Sequence, residues 1–93
     1  MSGPEYRVFE HPDVTADLQA APSEVLRALG RLVYPVLRSD PTNVSGAHPI
    51  RWEPSWFIYR LDLAIGQLLV AYQALEEERA VLVIRIALIP SPP

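Results

Sequence analysis

The chain has 93 residues, of which 49% are hydrophobic and 20% charged, a composition typical of one globular domain with a single core. It has no cysteine, which excludes disulfides, thiol catalysis and thiolate metal sites. The net charge is −3, and all eight basic residues are arginines scattered along the chain. The sequence therefore lacks the positive surplus that nucleic-acid-binding domains usually carry.

Nothing in the sequence indicates a membrane or secreted protein. The longest charge-free stretch, residues 63–75, is too short to cross a bilayer and is interrupted by glutamines. The N-terminal residues include an early acidic side chain and no apolar core segment, so they do not resemble a secretory signal. We therefore expect a cytoplasmic protein that does not contact a membrane.

The N-terminal half predicts one strand followed by two helices. Residues 5–10 alternate as a short strand does, and residues 14–21 favour a short helix. Pro22 opens a second helix, because proline is tolerated in the first helical turn. Gly30 and Pro35 lie within this second helix and predict a kink or an early end.

The second helix carries an apolar stripe that another part of the fold has to cover. Its apolar residues recur at three- and four-residue spacing, which places them on one side of a helix. They are Val25, Leu26, Leu29, Leu32, Val33, Val36 and Leu37. We expect the whole stripe to face the core.

The C-terminal half predicts a loop followed by a sheet. Residues 39–49 are rich in turn formers and have no period, so they are predicted to form a loop. Residues 50–89 change to alternation or continuous apolar runs, which favours antiparallel strands, and residues 90–93 form a proline-rich tail. Pro54-Ser55 is predicted to be a tight hairpin, and a turn with three consecutive glutamates separates the last two strands.

These elements predict an α+β fold for a single domain over residues 1–93. The N-terminal strand and the helical pair, residues 5–38, would pack on one face of a mostly antiparallel sheet of four to five strands.

Alternation along the strands sorts the sheet residues between two faces. One set is expected to face the helices: Phe57, Tyr59, Leu61, Leu82, Ile84, Ile86 and Leu88. The opposite face would then hold Trp56, Ile58, Arg60, Val81, Val83, Arg85 and Ile89. An apolar face of this kind usually marks a binding site for another chain, although the N-terminal strand or the long loop could equally cover it.

No metal site or cofactor is expected. His11 and His48 each precede a proline in different predicted loops, and the carboxylates are not grouped as a ligand set. The four glycines are isolated and form no phosphate-binding loop. Both histidines are therefore predicted to be ordinary surface residues.

The order of elements and two short segments resemble the RelE/ParE superfamily of toxins. Members typically show a segment of the form I-R-V-G-D-Y-R-V-I-Y-R-I-D and a final strand resembling V-L-R-V-G-H-R. The positions that match these forms are Ile50, Arg51, Ile58, Tyr59, Arg60 and Asp62 in the first segment and Val83, Ile84, Arg85 and Ile86 in the second. The resemblance covers nearly the whole chain.

The resemblance implies a toxin of a type II toxin–antitoxin module, the kind associated with plasmid stabilisation, held inactive by a cognate antitoxin. RelE-like members cleave messenger RNA on the ribosome, and ParE-like members poison DNA gyrase. Trp56, Leu88 and Ile89 replace residues of the RNase pattern, so the resemblance leaves catalysis open. The catalytic candidates that remain are Arg51, Arg60 and Arg85.

The leading hypothesis is a RelE/ParE-like protein that acts through protein binding on the apolar, arginine-dotted face. The predicted partner-binding residues are Trp56, Ile58, Arg60, Val83, Arg85 and Ile89. Arg85 is the first choice because its strand is otherwise apolar, whereas Arg51 and Arg60 are expected to pair with nearby carboxylates. Two alternatives stay open: an active ribosome-dependent mRNA endonuclease, and a non-toxic structural homodimer.

Overall fold

The computed structural model describes residues 5–50 and 53–92 of the chain. In these residues one sheet contains β1 (Arg7–Glu10), β2 (Ala47–Ile50), β3 (Glu53–Leu63), β4 (Gly66–Leu75) and β5 (Ala80–Pro90). The strand order is β1-β5-β4-β3-β2; β1 runs parallel to β5, and every other neighbouring pair is antiparallel. The predicted α+β fold with a mostly antiparallel sheet is confirmed.

The helical layer consists of α1 (Pro12–Ala20), α2 (Ser23–Ala28), a π-helical turn (Leu29–Val33) and α3 (Tyr34–Ser39). His11 caps α1, because its Nδ1 accepts a hydrogen bond of 3.1 Å from the Asp13 amide. The π turn ends two residues before Pro35, which has no amide hydrogen for the helical ladder. The sequence predicted a kink or an early end near Gly30 and Pro35; the structure has a π turn there, and the helical segment continues to Ser39. No described helix has the length and apolar character needed to cross a membrane.

The π turn decides which apolar residues of the second helix reach the core. In a regular α-helix a four-residue step rotates the side chain by about 40°, and the wider π turn reduces this drift. Four residues at four-residue spacing therefore remain on the side of the helix that faces the sheet, and each is at most 3% exposed. They are Val25, Leu29, Val33 and Leu37. The prediction of one fully buried stripe is wrong at Leu26, Leu32 and Val36, which are 44%, 50% and 37% exposed.

The loop before β2 is tied to the sheet by Tyr72. Its ring stacks on Phe57 with centroids 5.3 Å apart, and its hydroxyl donates a 2.6 Å hydrogen bond to the Pro41 carbonyl. Tyr72 is completely buried, and this burial raises the pKa of its hydroxyl. Residues 40–46 therefore pack on the same side of the sheet as the helices.

Two boundaries differ from the sequence prediction. β2 begins at Ala47, inside the segment predicted as loop, and β3 runs without a break through Pro54-Ser55. The predicted hairpin at Pro54-Ser55 is therefore wrong; β2 ends at Ile50, and its antiparallel partner β3 begins at Glu53. Proline is compatible with both places, because Pro54 lies near the start of a strand and Pro49 lies in an edge strand.

A β-bulge in β5 changes which of its residues face the helices. Val83 pairs with Tyr72 and Arg85 with Ala71, so Ile84 is an extra residue. Before the bulge the odd-numbered residues point to the helices, and after it the even-numbered residues do. Val81 and Val83 are accordingly core residues with no exposed surface, and their predicted place on the opposite face is wrong.

Candidate protein-binding face

The side of the sheet opposite the helices, called the free face below, is defined by cross-strand pairs. Directly paired residues project to the same side of a sheet, so the register assigns them to rows. The rows are Phe9-Leu82-Gln73-Trp56, Arg85-Ala71-Ile58-His48, Ala87-Leu69-Arg60 and Ile89-Gln67-Asp62. The predicted placement of Trp56, Ile58, Arg60, Arg85 and Ile89 on one face is confirmed by this register.

The free face is apolar at its centre and stays partly open. Trp56, Ile58, Leu69 and Leu82 are each partly exposed. At its margin Phe9 is 48% and Ile89 52% exposed. Partly exposed neighbours of this kind form a continuous apolar surface that water solvates poorly.

Neither of the two internal covers considered from the sequence lies over the free face. The N-terminal strand joins the edge of the sheet as β1, and the long loop is held on the helix side by the Tyr72–Pro41 hydrogen bond. Among the described residues, both segments are therefore engaged elsewhere.

Arg60 projects from the free face and is exposed. Its backbone amide donates a 3.0 Å hydrogen bond to the Gly46 carbonyl. With the side chains that the structure describes, its guanidinium forms no ion pair within 4.0 Å, so the expected pairing with Asp62 is not seen. Glu53 and Arg51 have side chains outside the described residues. Among the described residues, Arg60 therefore projects from the free face without a carboxylate partner.

Arg85 is anchored by the helical layer. Its Nε lies 3.2 Å from Asp17 Oδ2 and its Nη2 3.4 Å from Asp17 Oδ1, and Asp17 Oδ2 also accepts a 2.9 Å hydrogen bond from the Ile86 amide. The Asp17 side chain is only 15% exposed, whereas that of Arg85 is 63% exposed. Arg85 is thus a structural ion-pair partner that still presents part of its guanidinium to solvent, a pairing that the sequence analysis missed.

His48 is a free-face residue that the sequence analysis assigned to a loop. It lies in β2 directly opposite Ile58 and is exposed. Arg60 and Trp56 are its diagonal neighbours on β3, and residues at such positions are typically about 7 to 8 Å apart. The segment from Ala47 to Ile50 has no clear apolar–polar alternation, and Gly46 and Pro49 close to His48 favoured the prediction of a loop.

The described residues contain no group of three or more histidine and acidic side chains that could hold a metal ion. The polar side chains in the rows of the free face are His48, Arg60, Asp62, Gln67, Gln73 and Arg85.

Neither a protein-family model nor a curated protein sequence matches the chain, but solved structures do. A chain of the RelBE2 toxin–antitoxin complex from Mycobacterium tuberculosis superposes with a TM-score of 0.78 at 21% identity, covering 95% of each chain. The isolated E. coli RelE toxin gives 0.71 at 20% identity, covering 94% of this chain and 87% of that one. The fold is that of the RelE toxins. A chain of the intact E. coli RelBE toxin–antitoxin complex gives 0.61 at 19% identity, with 92% and 99% covered.

The RelE fold confirms the architecture that the two sequence segments implied. At identities near 20% the likeness establishes the shared fold, and the residues of the free face have to be considered on their own. Val83, which matched the motif of the final strand, is a core residue here. Arg60 and Arg85 are the two motif arginines that the structure describes, and both lie on the free face.

Proposed function

We propose that this chain is the toxin of a type II toxin–antitoxin pair and that its free face binds the cognate antitoxin. The observation that carries this proposal is the open apolar centre of the free face on a chain with the RelE fold. Two of the similar structures are toxin–antitoxin complexes. A partner that covers Trp56, Ile58 and Leu69 would remove this surface from water, which is the main favourable term in association.

Charge indicates what kind of partner segment fits. The whole chain has a net charge of −3, yet the described residues of the free face include Arg60 and Arg85 against one acidic residue, Asp62. Asp17 neutralises Arg85 in part, and Asp62 accepts a 3.3 Å hydrogen bond from Gln67. An apolar antitoxin segment with acidic residues beside Arg60 is therefore complementary in both respects.

The test is binding between this chain and the small protein encoded by an adjacent reading frame. We expect the pair to co-purify and titrate as a stoichiometric complex. Arg60→Glu should weaken binding by about tenfold or more, because it places a like charge against the acidic segment. Arg31→Glu is the matched control: it reverses an exposed arginine on the helices, and its affinity should stay within about twofold of the wild type.

Two results would overturn the proposal. One is the absence of any complex with the protein of a neighbouring frame. The other is a complex in which Arg60→Glu binds as the wild type does while Arg31→Glu does not, because the partner would then lie on the helices.

Ribosome-dependent cleavage of messenger RNA is a second candidate, favoured by the placement of His48 beside Arg60. Histidine can exchange a proton near neutral pH, and arginine can stabilise the charge that develops on a phosphate. A diagonal separation of about 7 to 8 Å leaves room for a phosphodiester between the two side chains. Arg51, another of the three catalytic candidates, lies outside the described residues.

Induction of the chain in translating cells tests this activity. The cleavage hypothesis requires that message is cut by the wild type and spared by His48→Ala and by Arg60→Ala. His11→Ala is the control, since it removes the other histidine, which caps α1. Intact message on induction of the folded wild type without antitoxin would exclude cleavage, and this outcome leaves antitoxin binding untouched.

A further inference from the structure

The half of β5 beyond its bulge has a strand neighbour on one side only. β1 pairs with Ala80–Val83 and then ends, whereas β4 pairs with β5 as far as Pro90. Within the described residues, positions 84–90 therefore form an open edge, called the β5 edge below. Open edges expose amide and carbonyl groups that readily pair with another strand, and proteins usually block them with a charge or a cover.

Asp17 occupies the place that a neighbouring strand would take at the β5 edge. Its Oδ2 accepts the outward-pointing Ile86 amide at 2.9 Å, as a strand carbonyl would. The same carboxylate holds Arg85. A side chain from α1 thus stands in for a strand at one position of the edge.

The side chains of the β5 edge are mostly apolar, and a groove runs beside it. A groove of about 200 Å³ lies beside it, lined by Ile86 and Leu88 on the strand and by Ala20, Ala21, Pro22, Val25 and Asp17 on the helical side. On the other side of the strand Ala87 is exposed and Ile89 is 52% exposed. No acidic residue lies between positions 84 and 90, and the first proline comes at Pro90.

The edge is complementary to itself in an antiparallel arrangement. Because the Ile86 amide points outward and strand residues alternate, the Leu88 amide points outward as well. A two-fold axis through Ala87 sets Ile86 opposite Leu88 of the second copy, so the outward amides and carbonyls of the two copies pair. Arg85 then lies opposite Ile89 of the second copy, which avoids a like-charge contact, and the small Ala87 lies opposite itself.

We propose that the β5 edge is a latent self-association site for a second copy of this chain, and that Asp17 keeps it closed. Displacing the Asp17 carboxylate frees the Ile86 amide and allows two β5 strands to pair across the axis at Ala87. The partner is a second copy because the hydrogen-bonding pattern, the charge placement and the small central residue all match under this symmetry.

Removal of the carboxylate tests the proposal by analytical ultracentrifugation. Asp17→Ala should lower the concentration of half-dimerisation by about tenfold or more, because the partly buried Ile86 amide, left without an acceptor, favours pairing with another strand. Asp17→Asn keeps an oxygen that can accept the Ile86 amide, so it should stay monomeric at the same concentrations. Adding Ala87→Lys to Asp17→Ala should restore the monomer, since two ammonium groups would meet on the axis. Asn43→Lys, which adds the same charge to an exposed loop, should leave the dimer intact.

A second variant guards against loss of folding. Asp17→Ala/Arg85→Ala removes both charges and leaves no unpaired ion, and it should dimerise in the same way. The proposal is overturned if either variant is folded and monomeric up to about millimolar concentration, or if the dimer is insensitive to Ala87→Lys. It is also overturned if both variants unfold while Asp17→Asn folds, because Asp17 would then serve folding rather than edge closure. Antitoxin binding by the wild type is independent of each of these outcomes.

Discussion

Removing the hydroxyl of Tyr72 tests how firmly residues 40–46 are held to the sheet. Tyr72→Phe keeps the stacked ring against Phe57 and deletes only the 2.6 Å hydrogen bond to the Pro41 carbonyl. Tyr72 and Pro41 are both fully buried, so water cannot readily replace the lost hydroxyl donor. A buried carbonyl left without its partner costs about 1 to 3 kcal/mol.

The expected result is a loss of about 2 kcal/mol in the free energy of unfolding, measured by urea denaturation. For a chain of this size the corresponding fall in Tm is about 8 to 16 °C. Gln73→Ala is the control in the same strand, because its 3.3 Å hydrogen bond to Ser55 is only partly buried, and it should cost at most about 0.5 kcal/mol. A Tyr72→Phe variant within about 0.5 kcal/mol of the wild type would refute the view that this bond tethers the loop.

Three further outcomes follow from glycine geometry and from the tyrosines. Gly30→Ala should stabilise the helix by about 0.5 to 1 kcal/mol in thermal unfolding, because an added Cβ meets no atom within 4 Å; a destabilised variant would contradict this. Gly66→Ala should cost more than about 1 kcal/mol, since φ is +149° and the new Cβ would approach the Ile89 carbonyl oxygen to 2.2 Å; an unchanged Tm would refute the strand geometry at this turn. Burial raises the pKa of Tyr72 and of Tyr34, with a further increase at Tyr34 from its hydrogen bond to Glu10. The unfolded chain therefore loses these protons first, and stability should fall as the pH rises above the ordinary value of 10.0. The chain has no lysine or cysteine to obscure this titration, so an unfolding free energy that stays flat there would contradict the burial of these hydroxyls.

The sequence predicted the order and type of the elements because their hydrophobic periods are long and regular. It missed the details that depend on one extra residue. In β5 the residues of both faces are apolar, so the sequence pattern does not show which residues face the core, and nothing in it marks Ile84 as a bulge. In the second helix the four-residue spacing of Val25, Leu29, Val33 and Leu37 suits a helix with a wider turn, but the same window also fits a regular α-helix.

The residues of the free face were predicted correctly only where the strand register is regular. Residues of β3, where no bulge interrupts the register with β4, were assigned to the correct side. Asp17 could not be linked to Arg85, because the two are 68 residues apart and only the packing of α1 beside β5 joins them. His48 was overlooked because prolines on an edge strand resemble a loop.

Among the described residues, the free face and the exposed apolar residues of the helices are both open to the antitoxin, and mapping the complex by backbone and methyl chemical shifts distinguishes between them. If the free face is the binding surface, the largest shifts and protection from hydrogen exchange will occur at Ile58, Ala71 and Leu82. Shifts confined to Leu32 and Val36, the exposed apolar residues on the helices, would contradict the account.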